Sequence, residues 1–164
     1  MSFVYEFSKI LKISEKSFFE SLSSFIGLPH RYEFFLKKKN CIFINDSKAT
    51  SFKASKLALE NSKNIFWILG GLPKKNDKII LGNLKKNIVK VYIIGKNINF
   101  FKNQIKDKIS LCITKNLKNS IIRVIKDIKL LKKQKNTILL SPASASYDQF
   151  SNFEKRGNEF KKFL

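Results

Sequence analysis

The feature that most constrains the fold is a regular alternation of short apolar runs with amphipathic stretches from residue 41 onward. The apolar runs, rich in β-branched residues, predict strands at 41–45, 64–69, 89–95, 109–114 and 137–141. Helices are predicted at about 52–61, after 95, at about 117–133 and near 148–162. Buried strands that alternate with helices indicate βαβ units. The predicted class is therefore α/β, with a mostly parallel sheet and flanking helices.

Residues 1–26 stand outside this alternation and form a separate helical segment. Helices are predicted at 4–11 and 15–25. Ser14 is placed to cap the second helix, whose apolar side chains share one face. The stretch GLPHR then breaks the helix, and a strand is predicted at 32–37. We therefore divide the chain into a helical segment, 1–26, and an α/β domain, 27–164.

The net charge of +21 raises the question of a nucleic-acid partner. Lysine and arginine number 33 against 12 acidic residues, but arginine occurs only at Arg31, Arg123 and Arg156. Base readout and bidentate phosphate contacts favour arginine. The abundant lysine, asparagine, isoleucine and phenylalanine all have AT-rich codons. Genome composition therefore explains the charge more simply, and we do not expect nucleic acid to be the partner.

Cysteine use and hydropathy indicate a reducing aqueous compartment. Cys41 and Cys112 lie inside apolar runs and have no partner at metal-ligand spacing. No apolar run is long enough to span a bilayer. The first residues lack the basic region and the cleavage site that are typical of a secretory signal. We therefore expect a cytoplasmic protein with no membrane partner.

Three polar segments follow predicted strands. They are NDSKAT at 45–50, GGLPKKND at 70–77 and SPASASYDQ at 141–149. In open α/β sheets, ligands bind at the carboxyl ends of the strands. We therefore expect the three segments to line one crevice.

The first of these segments has two interpretations. Asp46 could accept a hydrogen bond from a ribose, Lys48 could neutralise a phosphate or a carboxylate, and Thr50 could help to seat an anion. The simpler interpretation is an Asx turn followed by a helix cap, which needs only Asp46, Ser47 or Thr50. Spacing alone leaves both interpretations open.

The other two segments are equally ambiguous by themselves. The Gly-Gly pair would let a ligand approach the backbone beside Lys74, but it also suits a plain turn. Ser144 and Ser146 offer hydroxyl groups just before a helix. The sequence contains no Walker A loop and no Gly-x-Ser-x-Gly elbow, and His30 is its only histidine. It therefore supports neither P-loop chemistry, nor a catalytic triad, nor a zinc site.

Taken together, the segments resemble one family. The resemblance rests on GLPHRYE (27–33), NDSKAT (45–50), ILGGLPK (68–74) and LLSPASASYDQFSNFEKRGNEF (139–160). Their order and spacing are similar to those of the C-terminal domain of the D-glutamate-adding Mur ligases, over roughly residues 4–164. The resemblance implies a Rossmann-like domain, with residues 1–26 as a helical remnant of the central Mur ligase domain.

The resemblance also implies a reaction. Mur ligases of this kind are ADP-forming amino-acid ligases of peptidoglycan biosynthesis. ATP phosphorylates the carboxylate of UDP-MurNAc-L-Ala, and the amine of D-glutamate attacks the acyl phosphate. ATP and Mg²⁺ are the implied cofactors, and the magnesium ligands are expected in the central domain.

The motifs assign roles to seven residues by this resemblance. Arg31 and Asp46 should contact ATP, and Lys48 should be the catalytic residue, near the phosphates and the reacting carboxylate. One carboxylate of D-glutamate should be held by Thr50 and Lys74. The other should be held by Ser146 and the start of the turn at Phe153.

The chain departs from the family pattern in composition and in length. Ser51 and Ser144 stand where asparagine and cysteine are usual, and Lys75 replaces a glycine. Because the P-loop and the UDP-sugar site are missing, we expect the chain to be inactive alone and to need a complementary polypeptide with the N-terminal and central domains. The alternatives are an inactive gene fragment and a lysine-rich nucleic-acid-binding protein.

Overall fold

The computed structural model describes residues 2–130 and 135–164 and confirms the α/β class. The helices are α1 (Ser2–Ile10), α2 (Glu15–Ser24), α3 (Phe52–Glu60), α4 (Ile98–Ile105), α5 (Leu117–Leu130) and α6 (Phe153–Lys162), with a short 3₁₀ helix at Gly82–Asn87. The strands are β1 (Glu33–Lys38), β2 (Cys41–Asn45), β3 (Ile65–Gly70), β4 (Ile88–Ile94), β5 (Leu111–Lys115) and β6 (Asn136–Leu140). The predicted strands therefore all correspond to observed ones.

The last helix is the main exception to the predicted boundaries. It begins at Phe153, five residues later than predicted, because the side chain of Asn152 caps it there. Just before it, the amide of Phe150 donates to the carbonyl of Ser146 at 2.8 Å and closes a turn. The predicted end of the preceding helix, 131–133, lies outside the described residues.

The six strands form one sheet in the order β1-β2-β6-β3-β4-β5. β1 runs antiparallel to β2, and the other neighbouring pairs are parallel. β6, the last strand in the sequence, lies between β2 and β3, and every residue of β3 and β6 is buried. The three strands that precede the polar segments are therefore direct neighbours.

Two hydrophobic cores cover the two faces of the sheet. Successive residues of β3 point to opposite faces. Trp67 belongs to the core that contains Leu59 of α3 and Phe101 of α4. Phe66 belongs to the core that contains Phe160 of α6. Both faces are thus covered by helices, as expected for a parallel sheet.

The helices α1 and α2 pack on each other and leave a large apolar surface exposed. Tyr5 contacts Phe18 and Phe19, with ring centroids 5.3 and 6.3 Å apart. Ser14 caps α2 as predicted, and its side chain accepts from the amide of Ser17 at 3.2 Å. The exposed apolar side chains are Phe3, Val4, Phe7, Ile10, Leu11, Ile13, Phe19, Phe25 and Ile26. None of the helices in the described ranges is long and apolar enough to cross a membrane.

Candidate functional site

The three polar segments meet at one edge of the sheet. They follow β2, β6 and β3, whose carboxyl ends point the same way because the strands are parallel. The amide of Asp46 donates to the carbonyl of Leu140 at 2.7 Å. Leu72 and Ala145 exchange two backbone hydrogen bonds, of 2.8 and 3.0 Å. Hydrogen bonds thus join neighbouring loops at this edge of the sheet. That the three segments line one crevice stays a prediction.

A buried arginine, which sequence reasoning missed, ties two of these loops together. Arg156 is 1% exposed. Its Nε donates to the Ser47 hydroxyl at 3.0 Å, and its Nη2 donates to the carbonyls of Ser47 and Ser144 at 2.9 and 3.0 Å. Burial lowers the pKa of Arg156 to about 10, so the guanidinium stays charged at neutral pH. The hydrogen bonds of the guanidinium therefore fix the backbone after β2 relative to the backbone after β6.

A signal for this residue was present in the sequence. A chain with 33 basic residues uses arginine only three times, and one of the three is Arg156. A planar guanidinium can make several directed hydrogen bonds at once, whereas an ammonium is a point charge. Gly71 lies against the guanidinium, and a Cβ at this position would collide with the Ala145 carbonyl. Glycine is therefore required at position 71 for the loops to meet.

Arg31, Asp46 and Lys48 line one open pocket of about 330 Å³. The remaining walls are formed by Tyr32, Ala49, Ala54 and Leu57. Arg31 is exposed, Asp46 is buried and Lys48 is half-buried. The structure thus brings together the two residues predicted to contact ATP and the predicted catalytic lysine.

Asp46 has a structural role in addition to its place in this pocket. Its Oδ1 accepts from the amide of Tyr32 at 3.1 Å, and its Oδ2 accepts from the hydroxyl of Ser141 at 2.6 Å. Burial raises the pKa of Asp46 to about 6, although the hydrogen bonds from Ser141 and Tyr32 and the charge of Arg31 oppose that rise. The carboxyl group therefore joins the entry of β1 to the loop after β6.

Lys48 and Phe153 are in direct contact. The ammonium of Lys48 lies 3.8 Å from the ring centroid of Phe153, which is a cation–π geometry. The amide of Lys48 donates to the carbonyl of His30 at 3.0 Å, and the His30 ring meets the Phe153 ring edge to face at 6.0 Å. His30 is buried, and its Nδ1 lies 2.9 Å from the side-chain nitrogen of Asn45. Burial lowers the pKa of His30, and the positive charge of Lys161 lowers it further. The single histidine therefore packs behind the lysine.

Thr50, Lys74 and Ser146 lie in three different loops. Thr50 is half-buried and precedes α3, Ser146 is buried, and Lys74 is exposed. The N-cap of α3 is Ser51, whose side chain accepts from the amide of Ala54 at 3.3 Å. The prediction that Asp46, Ser47 or Thr50 would cap this helix is therefore wrong. The Asx turn is present, because the amide of Ser47 donates to the Asn45 side chain at 3.2 Å. The turn of the simpler interpretation is thus present, its cap lies at Ser51, and the ligand-binding interpretation stays a prediction.

Metal-ligating side chains do not cluster in the part of the chain that the structure describes. The described residues contain no group of three or more histidine, cysteine, aspartate or glutamate side chains that could hold one. No step of the chemistry is therefore assigned to a metal held by this chain.

Curated proteins match most of the chain. It is 39% identical, over 93% of its length, to the UDP-N-acetylmuramoylalanine--D-glutamate ligase of Wolbachia sp. subsp. Brugia malayi (strain TRS), and the match covers 30% of that protein. Ligases of the same name from Wolbachia pipientis wMel and Bartonella henselae are 37% and 38% identical, over 95% and 94% of this chain and 30% and 33% of theirs. The chain thus spans 30–33% of the length of these relatives.

A solved structure is similar in fold. The bifunctional folylpolyglutamate synthase/dihydrofolate synthase from Yersinia pestis CO92 superposes with a TM-score of 0.60 at 12% identity, across 91% of this chain and 34% of that chain. No family model matches the chain. The structural likeness supports the α/β architecture and carries no information about the substrate.

Proposed function

We propose that this chain, a homologue of one segment of the UDP-N-acetylmuramoylalanine--D-glutamate ligases, supplies the part of such an enzyme that binds nucleotide and D-glutamate. The complete enzyme acts in the cytoplasm and adds D-glutamate to UDP-MurNAc-L-Ala as ATP is converted to ADP. The observation that carries the proposal is the convergence of three loops, with two lysines and several hydroxyl groups, on one edge of the sheet.

The pocket beside β2 suits a nucleoside. Ala54 and Leu57 offer an apolar wall to a base, while Arg31 and Asp46 offer a cation and a hydrogen-bond acceptor. Its volume of about 330 Å³ lies at the small end of the range for ligand sites, and a second wall would enlarge it. ATP therefore contacts Arg31 and Asp46 here, with its phosphates directed toward Lys48.

The loops after β3 and β6 suit a dicarboxylate. Thr50 and Lys74 hold one carboxylate of D-glutamate through a hydroxyl and a cation. Ser146 and the first amides of α6, at Phe153, hold the other, because a helix N-terminus favours negative charge. Two carboxylates bound at separate points fix the orientation of the amine between them.

Lys48 is the proposed catalytic residue. Its contact with the Phe153 ring holds the ammonium between the loop after β2 and the start of α6. A fixed cation there balances the negative charge of the phosphate and the carboxylate while the acyl phosphate forms. The D-glutamate amine then attacks the acyl carbon and phosphate leaves. Because the reactants are held together, no side-chain nucleophile is needed.

A complementary polypeptide supplies the rest of the enzyme in this proposal. The relatives are about three times as long as this chain, which spans 30–33% of their length. The apolar surface of α1 and α2 is the proposed contact with that polypeptide, since large exposed apolar patches mark interaction sites. The complementary part also binds Mg²⁺ and UDP-MurNAc-L-Ala, and the chain alone is inactive.

The test combines this chain with the part of the Wolbachia ligase that the match leaves uncovered. We expect ADP release that requires both UDP-MurNAc-L-Ala and D-glutamate. Lys74→Gln should raise the KM for D-glutamate by about tenfold or more and leave the KM for ATP unchanged, since one charge-assisted contact is worth about 1.4 kcal/mol or more. Lys75→Gln, the adjacent exposed lysine, is the matched control. ADP release that does not depend on D-glutamate, or the absence of any ADP release, would contradict the proposal.

A further inference from the structure

Asp77 makes a long-range contact between the two loops that carry Thr50 and Lys74. Its Oδ2 accepts from the amide of Phe52, the first residue of α3, at 2.8 Å. The amide of Asp77 donates to the carbonyl of Lys74 at 3.1 Å and closes a tight turn. One residue is therefore bonded both to the helix start that follows Thr50 and to the turn that begins at Lys74.

We propose that Asp77 is a positioning residue, which sets the distance between Thr50 and Lys74 and thereby determines how well the amino-acid carboxylate is held. The inference rests on the proposed function for its substrate, but the contacts that carry it are independent of the substrate. In this role Asp77 acts through the backbone of α3, to which its carboxylate is bonded, and not through contact with a reactant. Nothing in the sequence motifs had assigned this residue a role.

The turn has little else to hold it in place. A cleft of about 820 Å³ separates residues 75–78 from α4. The next backbone anchor is the amide of Ile79, which donates to the side chain of Gln104 at 2.8 Å. Without the Asp77 carboxylate, the turn therefore loses its link to α3 and can move into the open cleft.

The negative charge of the same carboxylate adds to its hydrogen bond. The turn carries Lys74, Lys75 and Lys78, and Asp77 is the acidic residue among them. A carboxylate at the first turn of a helix also interacts favourably with the helix dipole. Asp77 therefore offsets repulsion between the lysines and stabilises the start of α3 at once. Lys75 has no positive φ angle, so the turn accommodates it without backbone strain.

The experiment uses the combined enzyme described above. Asp77→Ala should raise the KM for D-glutamate by about tenfold, whereas the KM for ATP should change less than about twofold. Asp77→Asn keeps an oxygen that can accept from Phe52 and should restore most of the affinity. Asn76→Ala, at the neighbouring exposed residue of the same turn, is the control and should behave like the unsubstituted enzyme.

A second measurement does not depend on activity. In the full chain alone, Asp77→Ala should speed amide hydrogen exchange at Phe52 by about tenfold or more, and Asn76→Ala should not. An active enzyme in which Asp77→Ala raises both KM values equally, or only lowers the folded fraction, would overturn the positioning role. Unchanged exchange at Phe52 would overturn the role of the Asp77–Phe52 hydrogen bond, even if the combined enzyme were inactive. An inactive unsubstituted enzyme would count against the proposed function only.

Discussion

Replacing Asp46 with asparagine should stabilise the protein, relative to the unsubstituted chain, by an amount that grows with pH. Burial raises the pKa of Asp46 to about 6, against 3.8 for the free side chain. Because its pKa is raised in the folded state, the carboxyl group contributes to the stability of the fold. This contribution is fully present below pH 3.8 and is lost as the pH rises through 6. The difference between 6 and 3.8 corresponds to about 3 kcal/mol at 1.36 kcal/mol per unit. About 2 kcal/mol of it should be lost between pH 4 and pH 7.5.

Urea unfolding of both proteins at pH 4 and at pH 7.5 measures this effect. Asparagine is neutral at both values and can still accept from the Tyr32 amide and donate to Ser141. The free energy of unfolding of Asp46→Asn minus that of the unsubstituted chain should therefore rise by about 2 kcal/mol between the two pH values. Asp107→Asn, at an exposed position, is the control. A difference that stays constant within about 0.5 kcal/mol, or falls, would show that the folded state holds Asp46 ionised and refute the reasoning.

Two further substitutions test the supports of the site by urea unfolding at pH 7.5. Arg156→Lys should lower the free energy of unfolding by about 3 kcal/mol, because a buried ammonium cannot reproduce the bonds to Ser47 and Ser144. Arg123→Lys, at an exposed arginine, should cost less than about 0.5 kcal/mol. Equal losses at both arginines would contradict the role of Arg156. Ser51→Ala should cost about 1 kcal/mol through loss of the α3 cap, and Ser51→Asn should be close to neutral. If alanine proved as stable as asparagine at position 51, the cap would not matter.

Most of the fold was predictable because it depends on local patterns. Apolar runs and helical periodicity identify the elements, and parallel strands need helical crossovers whatever their order. The position of β6 between β2 and β3 was not predicted, since strand order depends on contacts between distant residues. The late start of α6 was missed for a local reason: the cap at Asn152 follows a turn that begins at Ser146.

The site was predictable in outline for a similar reason. Loops that follow parallel strands must meet at one edge of the sheet. Three polar segments after predicted strands therefore indicated where the site lies. The supports could not be predicted, because they join residues far apart in sequence. Ser141 donates to Asp46 across 95 positions, and Arg156 contacts Ser47 across 109. No local pattern reports that Asp46 is buried or that Arg156 holds two loops.

The placement of β6 has a consequence for the way the chain is made. β2 and β3 emerge from the ribosome early, but neither pairs with the other, because the strand that separates them lies at residues 136–140. During synthesis, each of the two strands therefore has one unpaired, apolar edge until β6 is made. Such edges are templates for aggregation. The sheet closes only when the last strand inserts between them, and the same event brings Ser141, Ser144 and Arg156 to the crevice. Insertion of β6 and assembly of the candidate site are thus one step, and a nascent chain that stops before β6 has neither.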